Sequence, residues 1–98
     1  MIYECKYHIC SLPKYRYPIL TGQVAFRVRE LIRQIAAANE VQIISGFVSS
    51  DHIHIYVSIP PSLYVSKFVQ FVKRASSRKL QLEFEDLRRR YWGQHIWA

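Results

Sequence analysis

Apolar residues recur along the chain at two different spacings, and each spacing predicts a different element. Apolar and polar residues alternate from Tyr3 to Ser11 and again in "HIHIYVSI", from His52 to Ile59, which predicts half-buried β-strands. The run from Val41 to Val48 is apolar and β-branched. The "SSD" stretch from Ser49 to Asp51 is a short turn that joins this run to the histidine strand, so the two form a predicted hairpin.

Two longer stretches carry apolar residues at helical spacing. The first predicts a surface helix from Gln23 to Asn39. The second begins near Val65 and runs, or bends, through to Leu82. A short helical piece, "FEDLRRR", then precedes "YWGQHIWA", in which His95 to Ala98 are the candidate start of a last strand, and the two tryptophans are expected in the core or at an interface.

The order strand, helix, strand, strand, helix, strand indicates an α+β fold. It is that of a ferredoxin-like or RRM-like split βαβ sandwich, with an antiparallel sheet and helices packed mainly on one face. In this topology the first and third strands lie side by side at the centre, and the other sheet face is open. The 98 residues suffice for one modest core, so we expect residues 1–98 to form a single domain.

Apolar run length and the cysteines bear on the cellular compartment. No apolar run approaches the roughly 18 to 20 residues that cross a bilayer, and "MIYECKYHIC" lacks the layout of a signal peptide. We therefore expect a cytoplasmic protein with no membrane partner. Cys5 and Cys10 lie too far apart in one strand to form a disulfide, so we expect reduced thiols packed as small hydrophobic groups.

The charge balance favours a nucleic-acid partner. Fourteen Lys and Arg against seven Asp and Glu give a formal net charge of +7. A solvated basic surface is the alternative. The basic residues cluster in "PKYRYP", where tyrosines could stack on bases, and in "FVKRASSRKL". The candidate nucleic-acid-binding residues are Lys14, Arg16, Lys73, Arg74, Arg78 and Lys79, with the hydroxyls of Ser76 and Ser77 as further phosphate donors.

The histidine strand carries the candidate chemistry. Alternation places Ile53, Ile55, Val57 and Ile59 toward the helices, and His52, His54, Tyr56 and Ser58 on the open face. Residues two apart in a strand have Cα atoms about 6.6 Å apart, close enough for both imidazoles to bind one divalent ion. Such a pair is also compatible with two polar residues on a solvated face.

The first strand could add a ligand to the pair. Its predicted core-side residues are Tyr3, Cys5, Tyr7 and Ile9, and its open-face residues are Glu4, Lys6, His8 and Cys10. A zinc site formed by the histidine pair with His8 or Cys10 is therefore a further possibility, although the cysteine pairs typical of structural zinc are absent.

Four motifs, in this order and at these separations, resemble one family. "YHICSLPKYRYPIL", "DHIHIYVSIPP", "FVKRASSRKL" and "RRRYWGQHIWA" are similar to the single-tyrosine HUH transposases of the insertion-sequence 200/605 class. The resemblance covers nearly the whole chain and implies the same sandwich fold. It implies that His52 and His54 bind a catalytic divalent metal, Mg²⁺ or Mn²⁺. It also implies cutting and rejoining of single-stranded hairpin DNA at insertion-sequence ends through a 5′ phosphotyrosine.

The chain departs from this family at the nucleophile. In the family the catalytic tyrosine lies on a further helix beyond the strand that begins at "HIWA", with a polar residue that completes the metal shell. None of the seven tyrosines matches that position, so the tyrosine is expected beyond Ala98 and this chain alone is expected not to cleave DNA. Family members form dimers in which sheets join, which implies a homodimer. The alternatives are a non-catalytic RRM-like nucleic-acid-binding module and a small metal-binding or structural domain.

Overall fold

The computed structural model describes residues 5–92 and 94–98, so the predicted positions of Tyr3 and Glu4 lie outside the described residues. A single 3-10 turn, Lys14–Arg16, follows the first strand. The strands and helices in chain order are β1 (Cys5–Ser11), α1 (Gly22–Ala38), β2 (Gln42–Ser49), β3 (His52–Ile59), α2 (Val65–Glu83) and α3 (Glu85–Arg90). This order confirms the α+β class, and each element begins and ends within a few residues of its predicted position.

The strands form an antiparallel sheet in the order β1-β3-β2. The predicted pairing of the first and third strands is confirmed, with Cys10 opposite His54 and His8 opposite Tyr56, but in the described sheet β1 is an edge strand and only β3 is central. Near the C-terminus, the described residues contain an isolated bridge between Pro13 and Trp97 rather than a full last strand. The histidine strand therefore lies between its two described neighbours.

A β-bulge in β2 changes which of its residues reach each sheet face. Ile43 pairs with Val57, but the next paired residue is Ser45, opposite Tyr56, so Ile44 is the extra residue. Beyond the bulge, Val48 lies on the core side. Phe47 lies on the same face as the histidines.

The core lies between the sheet and the two long helices. Ile53, Ile55, Val57 and Ile59 of β3 are all buried, as alternation predicts. They belong to one apolar cluster with buried residues from α1 and α2, among them Val28, Leu31, Phe68 and Leu80. Each such side chain contributes about 1.5–3 kcal/mol on burial, so this one-sided core holds both helices against a single face of the sheet.

Helix α1 ends in a Schellman motif. Asn39 is the C-cap and Glu40 adopts the left-handed conformation with φ 58°. The Val41 N–H donates to the Ala36 carbonyl at 2.8 Å, and the Glu40 N–H donates to the Ala37 carbonyl at 3.3 Å. This turn directs the chain from the helix into β2.

Two buried serines of α2 hold the C-terminal segment, residues 94–98, against the domain. The Trp97 indole N–H donates to Ser76 Oγ at 2.8 Å, and the Ile96 N–H donates to Ser77 Oγ at 3.1 Å. Both serines are almost completely buried. Their predicted role as phosphate donors is therefore wrong, because the hydroxyls face inward and already have protein partners.

Several smaller expectations are also corrected. Cys5 and Cys10 are free thiols, as predicted, but both are exposed rather than packed in the core. Trp97 is buried as predicted, whereas Trp92 is 79% exposed. Ser58 is buried although alternation places it on the open face. No helix in the described part of the chain is long and apolar enough to cross a membrane.

Candidate functional site

The open face of the sheet carries the predicted histidine pair. His52 and His54 are alternate residues of β3, and their side chains point away from the helices because the intervening Ile53 is buried on the core side. Tyr56 lies one step further along the same face. We call this surface, formed by His8, Phe47, His52, His54 and Tyr56, the histidine face.

Strand β1 packs an aromatic ring against this row. The His8 ring stacks on Tyr56 with centroids 4.3 Å apart and planes inclined by 25°. The same ring meets His54 edge-on, with centroids 5.4 Å apart. His54, which is exposed, thus has the ring of His8 against it.

Strand β2 contributes Phe47, which the sequence did not predict at the site. Its side chain is 59% exposed, and its ring centroid lies 5.9 Å from that of His52. The alternation of β2 hides this placement, because the bulge at Ile44 shifts the face on which later residues lie. An exposed aromatic ring beside two imidazoles provides a surface on which a nucleic-acid base can stack.

His52 is held by polar partners from the hairpin turn. Ser49 Oγ lies 2.6 Å from His52 Nδ1, and Asp51 Oδ1 lies 3.2 Å from the same nitrogen. Arg16 reaches the other carboxylate oxygen of Asp51 at 3.3 Å. The hydrogen bond from His52, with a further contribution from the Arg16 charge, holds the pKa of Asp51 below its ordinary value of 3.8, so the carboxylate is ionised at neutral pH.

Two imidazoles with a carboxylate beside one of them are side chains of the types that bind divalent cations. Metal-bound histidines typically donate their other ring N–H to a carboxylate or carbonyl, and Asp51 occupies that position behind His52. Within residues 5–92 and 94–98, no group of three or more His, Cys, Asp or Glu side chains is arranged to hold a metal ion. The described residues therefore do not form the possible zinc site in which His8 or Cys10 joins the histidine pair.

The basic loop after β1 lies next to the histidine turn. Tyr15 and Arg16 have φ values of 63° and 52°. This left-handed conformation is unfavourable for most residues other than glycine. Arg16 is 69% exposed although it pairs with Asp51. Lys14 is tied through its backbone, because its carbonyl accepts a hydrogen bond from the Tyr91 hydroxyl at 3.2 Å. Of the predicted basic residues, the structure thus places Arg16 beside the turn that carries His52.

The other predicted basic residues lie on the helical side of the sheet. Arg74, Arg78 and Lys79 are exposed on α2, whose apolar side packs toward the core. None of them forms an ion pair with a residue in the described ranges. Lys73 donates to the Ala98 backbone oxygen at 3.0 Å. Arg74, Arg78 and Lys79 are therefore on the helical side of the sheet, whereas Arg16 lies beside the histidine turn, so the predicted basic residues do not form a single groove beside the histidines.

Sequence comparison identifies the family. A family profile described as "Transposase IS200 like" matches residues 1–98. The chain belongs to the IS200-like transposase family. It is 33% identical over 96 residues to the ISDra2 transposase TnpA of Deinococcus radiodurans, covering 98% of this chain and 69% of that protein. It is 35% identical over 96 residues to the Salmonella typhimurium transposase for insertion sequence element IS200, covering 98% of this chain and 63% of that relative.

Structure comparison agrees with this family assignment. The chain superposes on the crystal structure of a proposed transposase from Deinococcus radiodurans R1 with a TM-score of 0.90 and 28% sequence identity. The match covers 100% of this chain and 75% of that structure. The resemblance read from the four motifs is thereby confirmed at the level of the family and its α+β fold.

One tyrosine of this transposase-family chain shares the histidine face. Among the residues that the structure describes, Tyr56 has this position, and its ring is stacked on His8. Tyr91 is buried beneath the basic loop, and burial raises the pKa of its phenol. Tyr15 lies on that loop and Tyr64 precedes α2, both exposed.

Proposed function

We propose that this chain binds single-stranded hairpin DNA at insertion-sequence ends and that His52 and His54 hold a divalent cation for tyrosine-mediated strand cleavage and rejoining. The observation that carries the proposal is the placement of both imidazoles on one open face, with Asp51 behind His52, in a chain of the IS200-like transposase family. DNA is the substrate that membership of a transposase family implies.

The residues of the histidine face have distinct proposed roles. His52 and His54 supply ring nitrogens to Mg²⁺ or Mn²⁺, and imidazole ligands suit Mn²⁺ better. When bound, the cation supplies Lewis-acid polarisation of a phosphate oxygen. Phe47 and Tyr56 offer rings for base stacking, and Arg16, exposed beside Asp51, is placed to contact a phosphate of the same strand.

The helical side provides a second proposed DNA contact. Arg74 and Arg78 line a shallow cleft with Arg88 and His95, which we call the arginine cleft, and Lys79 lies nearby on α2. Since this cleft is across the sheet from His52, its contacts add affinity without touching the cation. Replacing Arg78 with alanine is expected to reduce the slope of log affinity against log salt by about one and to leave Mn²⁺ binding unchanged.

We also propose a homodimer formed through a strand edge. In the described sheet order β1-β3-β2, the outer edges of β1 and β2 have no strand partner among the described residues. Such an edge is a template for pairing with a second copy. Sedimentation-velocity measurements over a range of concentrations test this, and a monomer throughout the range would refute it.

A non-catalytic RRM-like module is the second candidate. The observation that favours it is the aromatic character of the open face, with His8 stacked on Tyr56 and Phe47 exposed. RNA-recognition folds stack bases on sheet aromatics in this way. For such a module we expect an affinity for nucleic acid that changes neither on addition of a metal ion nor on replacement of His52.

The deciding experiment measures binding to single-stranded hairpin DNA with and without Mn²⁺, at two salt concentrations. The transposase proposal expects Mn²⁺ binding by calorimetry that His52→Ala and His54→Ala each abolish. His95→Ala, at an exposed histidine away from the histidine face, is the control for the metal titration. Metal-indifferent DNA binding would favour the RRM-like module, and absence of both would refute both candidates.

A cleavage assay with Mn²⁺ addresses the nucleophile separately. We expect no covalent protein–DNA adduct from this chain alone, because Tyr56 shares a strand with His54 and its ring is engaged by His8. An adduct that Tyr56→Phe abolishes would overturn this expectation.

A further inference from the structure

The hairpin turn between β2 and β3 places two polar side chains against the His52 ring. Asp51 Oδ1 is 3.2 Å from Nδ1, and Ser49 Oγ is 2.6 Å from Nδ1 and 3.4 Å from Nε2. Ser49 Oγ is also 3.4 Å from Asp51 Oδ1. Arg16 contacts the second oxygen of Asp51. Both Asp51 and His52 are partly shielded, with about a third of each side chain exposed (33% and 34%).

This arrangement favours one of the two neutral forms of the His52 imidazole. A carboxylate is only an acceptor, so its contact with Nδ1 is favourable when Nδ1 carries the proton. The Ser49 hydroxyl can then accept from Nδ1–H while donating to Asp51. If the proton were on Nε2 instead, the lone pair of Nδ1 would face the negative oxygen of Asp51.

We propose that Ser49 and Asp51 are positioning residues that hold His52 as the Nδ1–H tautomer and so leave the lone pair of Nε2 to bind the cation. Arg16 supports the same geometry from the loop after β1. The metal part of this inference rests on the proposed function, but the tautomer does not. The roles are those of residues that act through His52, since neither side chain is itself placed among the cation's ligands.

The two histidines are held by different means. The ring of His54 meets that of His8 edge-on, and its register partners are Cys10 and Phe47. The Asp51 carboxylate therefore contacts the ring of His52 and not that of His54. Substitution of Asp51 should change the tautomer of His52, and the tautomer of His54 serves as an internal control.

The first measurement is the tautomer of each histidine without metal. Long-range proton–nitrogen NMR spectra, recorded in alkaline buffer where imidazoles are neutral, distinguish Nδ1–H from Nε2–H. We expect His52 of the native chain to be Nδ1–H and Asp51→Ala to shift it toward Nε2–H. Asp51→Asn, whose amide oxygen still accepts a hydrogen bond, should keep more of the native form than Asp51→Ala.

The second measurement is Mn²⁺ affinity by calorimetry on the same variants. Asp51→Ala is expected to weaken binding by about 10–100-fold, the usual effect of losing the partner of a metal-bound histidine, and Ser49→Ala should weaken it less. Asp86→Asn is the matched control, since it removes one exposed carboxylate on α3 that lies away from the histidine face. That variant should match the native chain, which separates positioning from a loss of overall negative charge.

Circular dichroism melts confirm that the variants remain folded. The inference is overturned if native His52 is the Nε2–H tautomer, or if Asp51→Ala changes neither the tautomer nor the affinity. It is also overturned if Asp86→Asn weakens Mn²⁺ as much as Asp51→Asn does. A native chain that does not bind Mn²⁺ refutes the proposed function, and the NMR spectra then still decide whether Ser49 and Asp51 set the tautomer.

Discussion

Replacing Ser76 with alanine is expected to destabilise the protein while leaving its affinity for DNA unchanged. The hydroxyl accepts a hydrogen bond from the indole N–H of Trp97, which is 3% exposed, across 21 residues of sequence. Alanine would leave that buried donor without a partner. The expected phenotype is therefore loss of stability at the junction of α2 and the C-terminal segment.

The magnitude follows from the groups that lose or keep partners. A buried donor left unsatisfied costs about 1–3 kcal/mol, and the higher helix propensity of alanine returns about 0.5 kcal/mol. The Val72 carbonyl, which also accepts from the serine hydroxyl, retains its helical partner and adds little. A net loss of about 1–2 kcal/mol corresponds to a fall in Tm of roughly 5 to 15 °C for a domain of this size.

Thermal and urea unfolding of four proteins would measure the effect: the native chain, Ser76→Ala, Trp97→Phe and the double variant. Phenylalanine has no N–H that could be left without a hydrogen-bond partner. The loss of unfolding free energy in the double variant should therefore be about 1 kcal/mol smaller than the sum of the losses in the two single variants. Ser66→Ala, at an exposed position in the first turn of the same helix, is the control and should be nearly neutral.

The same variants distinguish a structural serine from a DNA ligand. If Ser76→Ala melted within about a degree of the native chain and bound hairpin DNA several-fold more weakly, the hydroxyl would serve DNA rather than Trp97. Strict additivity of the two changes would likewise contradict the hydrogen bond as the source of the effect.

Three further predictions test other parts of the fold. Glu40→Gly should raise stability by about 1 kcal/mol in urea unfolding, because glycine adopts the left-handed cap conformation without cost, and a loss of stability would contradict the Schellman geometry. Burial raises the pKa of Tyr91 above its ordinary value of 10.0, so the neutral phenol contributes to folding stability below pH 10 and this contribution is lost as pH rises through the folded pKa. Ultraviolet titration should show one tyrosine that ionises at higher pH than the others, and Tyr91→Phe should remove it. In urea unfolding, Phe68→Ala should lower the free energy of unfolding by about 3–5 kcal/mol, because Phe68 is buried in the core. Phe26→Ala, at an exposed site on α1, should lower it by less than about 0.5 kcal/mol, and equal losses would refute the assigned core.

Elements with strong local periodicity were predictable from the sequence. The bounds of α1 and the burial of Ile53 and Val57 follow from spacings of two to four residues, which each element satisfies within itself. The placement of His52 and His54 on one open face follows from the same alternation. The position of Phe47 was not predicted, because the single extra residue in β2 reverses the alternation of the residues that follow it. No local sequence pattern marks the position of this bulge.

By itself the sequence determined the order of elements, the core row of β3, the shared face of its two histidines and the family to which the chain belongs. Only the tertiary structure decided that Ser76 accepts a hydrogen bond from Trp97, that Arg16 contacts Asp51 across 35 residues, and that Arg74 and Arg78 lie on the helical side of the sheet, away from Arg16. The physical reason is one of range. Repeating patterns report contacts between near neighbours in the chain, whereas these pairings depend on where loops bring distant segments together.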